Sequence, residues 1–191
     1  MDLAFCYNKL MPEFIPQSAA AAEPLTRDLA EKHLSRLTEL ANLIPGVKYT
    51  PEDILAEQKG GRQMLGKWSH SLVVFVDDKP VAFIMGYERA GEGNEQYPEN
   101  TIYLSELAVA KEYQDKGLGR DLIRSFFERN NEVGFQFLSG ELNYSVQTNS
   151  AASNKHVVDL YKSFGFEQRA TKDYPNRIDA VLGAKVSEVL I

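Results

Sequence analysis

The stretch Gln114-Asp115-Lys116-Gly117-Leu118-Gly119-Arg120 has the residue types needed to hold an anion. Glycines remove the Cβ atoms that would block a ligand, and they permit the positive-φ conformations that aim successive N–H groups into one concavity. The turn joins an apolar strand pattern to a helical one. The following helix would add its N-terminal dipole and its unpaired N–H groups. A diphosphate is the natural guest, with Lys116 and Arg120 as cationic donors nearby. Two familiar ligand turns do not fit. A dinucleotide fingerprint needs a third glycine where Leu122 stands, and a Walker loop must end in Gly-Lys-Ser/Thr. A tight turn without a ligand is the remaining alternative for this segment taken alone.

The elements that must position this turn can be read from periodicity. Thr26 can cap a helix carrying Ala30, Leu34, Leu37, Ala41 and Ile44 at helical spacing, stopped by Pro45-Gly46. Thr50, Pro51 and Asp53 form a second helix start with capping-box character, expected to end by Gly60-Gly61. Ser71–Val76 and Val81–Tyr87 are apolar strands around an Asp77–Pro80 turn, and so form a hairpin. The polar, glycine-containing stretch from Arg89 to Asn100 is expected to be an exposed loop. Thr101–Ala110 is a third strand, and Gly117–Asn130 a helix with Leu118, Leu122, Ile123, Phe126 and Phe127 on one face. Asn143–Thr148, a short helix over Asn154–Ser163, and strands at Phe166–Arg169 and Ile178–Val186 complete the series. This order predicts a mixed α/β sheet with one parallel crossover. Residues 1–24 form a poorly defined lead segment in which Leu3–Tyr7 can supply a first strand, and the whole of 1–191 is expected to be one domain.

Composition narrows the function. The 191 residues are 43% hydrophobic and 25% charged, with a formal net charge of −6 and an isoelectric point near 5.2. That charge repels phosphate backbones, so no nucleic-acid partner is expected. No apolar run approaches the ~20 residues of a membrane span. Met1-Asp2-Leu3 lacks the basic start of a secretory signal, so cytoplasmic residence is expected. Cys6 is the only cysteine and reads as a free thiol away from every motif. His33, His70 and His156 have no metal-ligand spacing, so no metal is expected.

The glycine turn does not stand alone. Leu107-Ala108-Val109 precedes Gln114-x-x-Gly117-x-Gly119, and Asn154 precedes Leu160-Tyr161-x-x-Phe164-Gly165-Phe166. Together these resemble the two motifs of the GNAT superfamily of acetyl-CoA-dependent N-acetyltransferases, over about residues 70–170. The chain departs from that pattern in having Val157 where alanine is common, and in a longer polar stretch from Thr148 to Ser153.

The resemblance implies a mixed, mostly antiparallel sheet flanked by helices, in which two parallel strands splay apart to form the acyl-CoA cleft. It implies that Leu107 and Val109, with Ala108 between them, offer backbone to the pantetheine arm, and that a backbone N–H of this strand polarises the thioester. Asp115, Lys116, Gly117, Leu118, Gly119 and Arg120 would hold the diphosphate after Gln114, and Asn154 would lie near the arm. Tyr161 would be the general acid for the departing thiolate, because a phenol of ordinary pKa about 10 keeps its proton at neutral pH. Periodicity alone would make Tyr161 a core residue of a short helix. A lysine-like amine is neutral in only about one molecule in 2,500 at pH 7, equivalent to roughly 4.6 kcal/mol. A proton acceptor is therefore needed. Glu106 is the first candidate, with a solvated strand carboxylate as the alternative, and strand alternation decides which face it serves.

The acceptor cleft would be shaped by Pro51–Trp68 and Asp173–Asp179, and Glu92, Glu95 and Glu99 can attract a cationic acceptor. The expected activity is acetyl transfer from acetyl-CoA to a primary amine of a small molecule, peptide or protein. A non-catalytic acyl-CoA-binding regulatory module and a longer-chain acyltransferase are the alternatives, and a homodimer is left open.

Overall fold

The computed structural model describes residues 21–91, 100–138 and 145–185. The expected strand at Leu3–Tyr7, Cys6, the loop carboxylates Glu92, Glu95 and Glu99, and Asn143-Tyr144 lie outside the described residues.

In chain order the elements are β1 (Glu23–Pro24), α1 (Arg27–Lys32), α2 (Leu34–Ala41), α3 (Pro51–Leu55), β2 (Gln58–Lys59), β3 (Arg62–Gln63), α4 (Lys67–His70), β4 (Leu72–Val76), β5 (Lys79–Arg89) and β6 (Thr101–Val109). A 3-10 turn at Lys111–Tyr113 leads to α5 (Leu118–Val133), β7 (Ser145–Ala151), α6 (Lys155–Lys162), β8 (Glu167–Tyr174) and β9 (Arg177–Lys185). The main sheet has the order β1-β4-β5-β6-β7-β9-β8, and β2 and β3 form a separate hairpin. All neighbours in the main sheet are antiparallel except β6 and β7. The crossover between these two runs through α5, as the sequence implied. Among the described residues no helix is long and apolar enough to cross a membrane.

Several boundaries differ from expectation for identifiable reasons. The helix begun at Thr26, whose hydroxyl accepts from the Leu29 N–H at 3.2 Å, breaks at His33 into α1 and α2. The His33 ring packs edge-on against Phe75 of β4, with centroids 5.0 Å apart. Thr50 and Asp53 do form a reciprocal capping box, but α3 stops at Leu55 instead of reaching Gly60-Gly61. Lys67 Nζ donates to the carbonyls of Ile54 and Ala56 at 2.7 Å each. This cation closes the helix end that further turns would otherwise occupy. Gly60 and Gly61 both have positive φ and make the turn between β2 and β3. The first hairpin turn is only Asp77-Asp78, both at positive φ, so Lys79 and Pro80 belong to β5. The polar stretch after Thr148 is not all loop, because β9 pairs β7 through Ala151↔Asp179.

The sheet has a helix layer on each face. Phe126 and Phe127 of α5 and Val158 and Tyr161 of α6 pack with Ile84, Ile102, Leu104 and Val146. Leu37, Leu40 and Ile54 of α2 and α3 pack with Phe83, Met85 and Ala108 on the opposite face.

One irregularity governs the site. Along β6 the register against β5 runs Glu106↔Met85 and then Leu104↔Gly86, so Ser105 is an extra residue. A bulge of this kind reverses the in–out alternation of the strand. Before it, Ile102 and Leu104 face α5 and α6; after it, Leu107 and Val109 take that face and Ala108 turns to the α2–α3 layer. Glu106 shares the parity of Ala108.

Lys67 is only 2% exposed, and burial lowers its pKa from the ordinary 10.5 to about 8, against the opposing pull of Glu106 and Glu57. Between these values the unfolded chain binds more protons than the folded one, so this residue makes stability rise with pH above about 8. Melting temperatures of the wild type and Lys67→Met, compared from pH 7.5 to 10, should diverge in that sense. Parallel profiles would rule it out.

Candidate active site

Strands β6 and β7 pair only from Thr101↔Ser145 to Leu104↔Thr148. Beyond that point β6 stays with β5 and β7 stays with β9, so the two strands part. A cleft of about 1500 Å³ opens there. The Ala110 N–H donates to the Val81 carbonyl at 2.8 Å. Two-residue alternation therefore turns the backbones of Glu106 and Ala108 toward β5 and those of Leu107 and Val109 toward the opening. Gln114 Nε2 donates to the Val109 carbonyl at 2.8 Å. The Leu107 N–H and C=O and the Val109 N–H are left on a strand edge that no other strand among the described residues extends.

The glycine turn closes one end of the cleft. Asp115 and Gly117 have φ of +58° and +86°, and Gly117 is the N-cap of the 16-residue α5, with no side chain capping it. The first intrahelical bond is from the Asp121 N–H to the Gly117 carbonyl at 3.0 Å. The N–H groups of Leu118, Gly119 and Arg120 thus precede the helical ladder, at the positive end of the helix dipole. The two glycines differ in kind. Outside its own helix, a Cβ on Gly119 would meet nothing among the described residues nearer than Val109 Cγ2 at 3.8 Å, and its φ is ordinary. Folding therefore does not require glycine at 119, and the space above it is free for a ligand. Gly117 is demanded by its own backbone.

Tyr161 borders the cleft from α6. It is 3% exposed, stacks obliquely on Phe166 at 5.2 Å, and shares a side-chain hydrogen bond with Thr148 at the parting point. Burial pushes its phenol pKa well up, so it holds its proton across the neutral range. The two readings of Tyr161, core residue and cleft residue, are both true of its position. Asn154 is the N-cap of α6, accepting from the Val157 N–H at 3.4 Å, and it also lines the cleft.

The other end of the cleft is polar. Because of the bulge, Glu106 points toward the α2–α3 side and is 5% exposed. Its Oε1 accepts from the Tyr49 hydroxyl at 3.3 Å and from Lys59 Nζ at 3.4 Å, and its Oε2 accepts from Ser105 Oγ. Burial, and then the Glu106 charge, push the Tyr49 phenol up as well. Tyr49 and Lys59 line the cleft. Opposite them Arg177 grips the buried Asp179 through Nε at 2.9 Å and Nη2 at 3.1 Å. Trp68 is not in the cleft. It lies in α4, with its indole N–H on Glu57 at 2.6 Å.

The residues the sequence singled out mostly converge. Leu107, Ala108, Val109, Gln114, Asp115, Gly117, Gly119, Arg120, Asn154 and Tyr161 all border the cleft. Lys116 and Leu118 do not form its wall. The Lys116 ammonium sits over the Tyr113 ring at 5.6 Å, and Leu118 packs against the α5-side core. Glu106 stands just behind the wall, reached through Tyr49 and Lys59. Neither was singled out from the sequence, although Lys59 falls in the Pro51–Trp68 stretch expected to shape the acceptor cleft. Tyr49 precedes a helix cap and Lys59 a glycine turn, and neither carries a motif.

Comparison with known proteins agrees with this geometry. The family model described as Acetyltransferase (GNAT) family matches residues 34–166. The chain belongs to the GNAT acetyltransferase family. No curated protein sequence matches it. Among solved structures it resembles Ard1 from Thermoplasma volcanium, at 19% identity and a TM-score of 0.66, covering 91% of this chain and 100% of that one. It also resembles the ribosomal-protein-S18-alanine N-acetyltransferase from Escherichia coli, at 14% identity and a TM-score of 0.61, covering 87% and 93%. Arabidopsis thaliana Naa50, solved with the bisubstrate analogue CoA-Ac-MVNAL, matches at 17% identity and a TM-score of 0.59, covering 86% and 97%. At these identities the likeness is one of fold.

The contrast between the glycines is testable. Gly119→Val should change stability by no more than about 0.5 kcal/mol while weakening coenzyme A binding roughly tenfold or more in calorimetry. Gly117→Ala should itself cost about 1 kcal/mol of stability. Unchanged affinity in Gly119→Val would remove the turn from the binding site.

Proposed function

We propose that this protein transfers the acetyl group of acetyl-CoA directly to a primary amine. The observation that carries the proposal is the meeting, at one cleft, of an unpaired strand edge, a helix N-terminus and a buried phenol, with the buried Glu106 carboxylate just behind the wall. The dimensions and chemistry suit the cofactor: amide-bonding edge at Leu107 and Val109, and an open glycine cradle at Gly117 and Gly119. Naa50 is bound to a single molecule joining CoA to a peptide, and the same division of the cleft is proposed here.

Acetyl-CoA supplies the activated acyl carbon and a thiol leaving group. The α5 turn, from Asp115 to Arg120, holds the diphosphate by its N–H groups, and Gln114 fixes the strand end from which the turn departs. The β6 edge orients the arm so that its acyl end reaches the parting of β6 and β7. Tyr161, kept neutral by burial, protonates the sulfur as it leaves. Glu106 takes the proton of the acceptor ammonium, directly or through Tyr49, which shares its Oε1. Lys59, Tyr49, Arg177 and Asp179 surround the acceptor end, and the acceptor is a small molecule, a peptide or a protein presenting a free amine there.

Incubation with acetyl-CoA and a panel of primary amines, following free thiol, tests this reading. Turnover is expected on at least one amine. Tyr161→Phe should lower kcat by roughly 10²-fold with little change in cofactor affinity. Glu106→Gln should lower kcat/KM most at neutral pH and least at high pH, where the amine is already neutral. Cofactor binding with no turnover on any amine, including the protein's own lysines, would defeat the proposal in favour of a binding module.

A further inference from the structure

We infer that Lys59 is an internal acceptor: the enzyme acetylates this side chain in cis. The inference rests on the acetyltransferase reading above and goes beyond it by naming a modification site. Lys59 stands at the end of β2, on a two-stranded hairpin whose tip, Gly60-Gly61, has positive φ and, among the described residues, nothing within 4 Å of where its Cβ atoms would stand. The hairpin is exposed from Gln58 to Gln63 but anchored on both sides by the buried Ile54 and Met64. A further tie comes from the Leu65 bridge to Glu88 of β5. It is thereby held over the acceptor end of the cleft. Its side chain is 62% exposed, yet the ammonium is seated on Glu106 at 3.4 Å, beside the Tyr49 hydroxyl.

The position of that ammonium is the one an external amine must take. Glu106 immediately precedes Leu107, whose amide faces the opening, so an amine resting on Glu106 lies one residue from the edge that holds the acyl arm. Only the lysine half of this pair is open to solvent, and Glu106 keeps Tyr49 and Ser105 as donors when the ammonium leaves it, so Lys59 is not locked in the cleft. Tethering, however, supplies the amine at an effective concentration in the millimolar range without diffusion. No such placement holds for Lys32 or Lys162, which are exposed on helices.

The Lys59 ammonium gives one proton to Glu106, which returns it to solvent. The freed nitrogen forms a bond to the acyl carbon, the carbon–sulfur bond breaks, and the sulfur takes a proton from Tyr161. The second nitrogen proton restores Tyr161. The products are N-acetyl-lysine, free coenzyme A and one released proton. Acetylation cancels the charge that Lys59 presents to Glu106, so the modified side chain no longer competes with external amines for that carboxylate.

The test is peptide mass spectrometry of the intact chain incubated with acetyl-CoA alone. Lys59 should gain one acetyl group about tenfold or more faster than Lys32 or Lys162, at a rate independent of protein concentration and saturating with acetyl-CoA. Glu106→Gln should slow Lys59 to the rate of the other lysines, and Lys59→Arg should abolish the mark at 59. Modification of Lys59 no faster than the helix lysines, or a rate proportional to protein concentration, would overturn the inference. If added amines are acetylated and Lys59 is not, this inference fails alone. If neither is acetylated, the acetyltransferase reading fails first.

Discussion

The structure depends on the parting of two parallel strands. A parallel pair satisfies its backbone only while the strands stay side by side, and β6 and β7 do so for four residue pairs, Thr101↔Ser145 to Leu104↔Thr148. Past that point each strand is held by its antiparallel neighbour on the far side, β5 or β9. The separation thus leaves the sheet intact while exposing one edge of β6. An exposed edge of amides is a liability in a sheet unless something pairs with it, and an extended amide-bearing ligand arm is such a partner.

The bulge at Ser105 sits at the same place and has a separate effect. Without it Glu106 would share the face of Leu104 and point into the α5–α6 core, where a carboxylate would need a cationic partner. With it, Glu106 turns to the α2–α3 side, where Tyr49, Lys59 and Ser105 donate to it. The same reversal puts Leu107 and Val109 on the α5 face, so apolar packing continues on both sides of the sheet.

Both ends of helix α5 carry polar groups. Its start is the glycine cradle. At its other end, Asn130 contacts the buried His70, whose other ring nitrogen lies 3.1 Å from Glu88. The Glu88 carboxylate also accepts the N–H groups of Gln136, Phe137 and Leu138 at 2.6, 2.9 and 2.8 Å. A buried carboxylate with this many donors is stable as an anion, and these bonds hold its pKa down against burial. The segment leaving α5 is thereby tied to β5, and the dipole of α5 keeps its aim at the cleft.

The sequence by itself determined the motifs and the element types, because both are local. Gln114-x-x-Gly117-x-Gly119 states its own turn geometry, Thr50 with Asp53 its own cap, and the apolar pattern of Leu122, Ile123, Phe126 and Phe127 its own face. Tertiary structure decided what depends on neighbours. The break at His33 needed Phe75, the early end of α3 needed Lys67, and the length of β7 needed β9. The orientation of Glu106 was illegible in the strand pattern because one inserted residue, visible only against the register of β5, inverts it. Tyr49 and Lys59 reach Glu106 across 57 and 47 residues of chain, a proximity that no local spacing encodes.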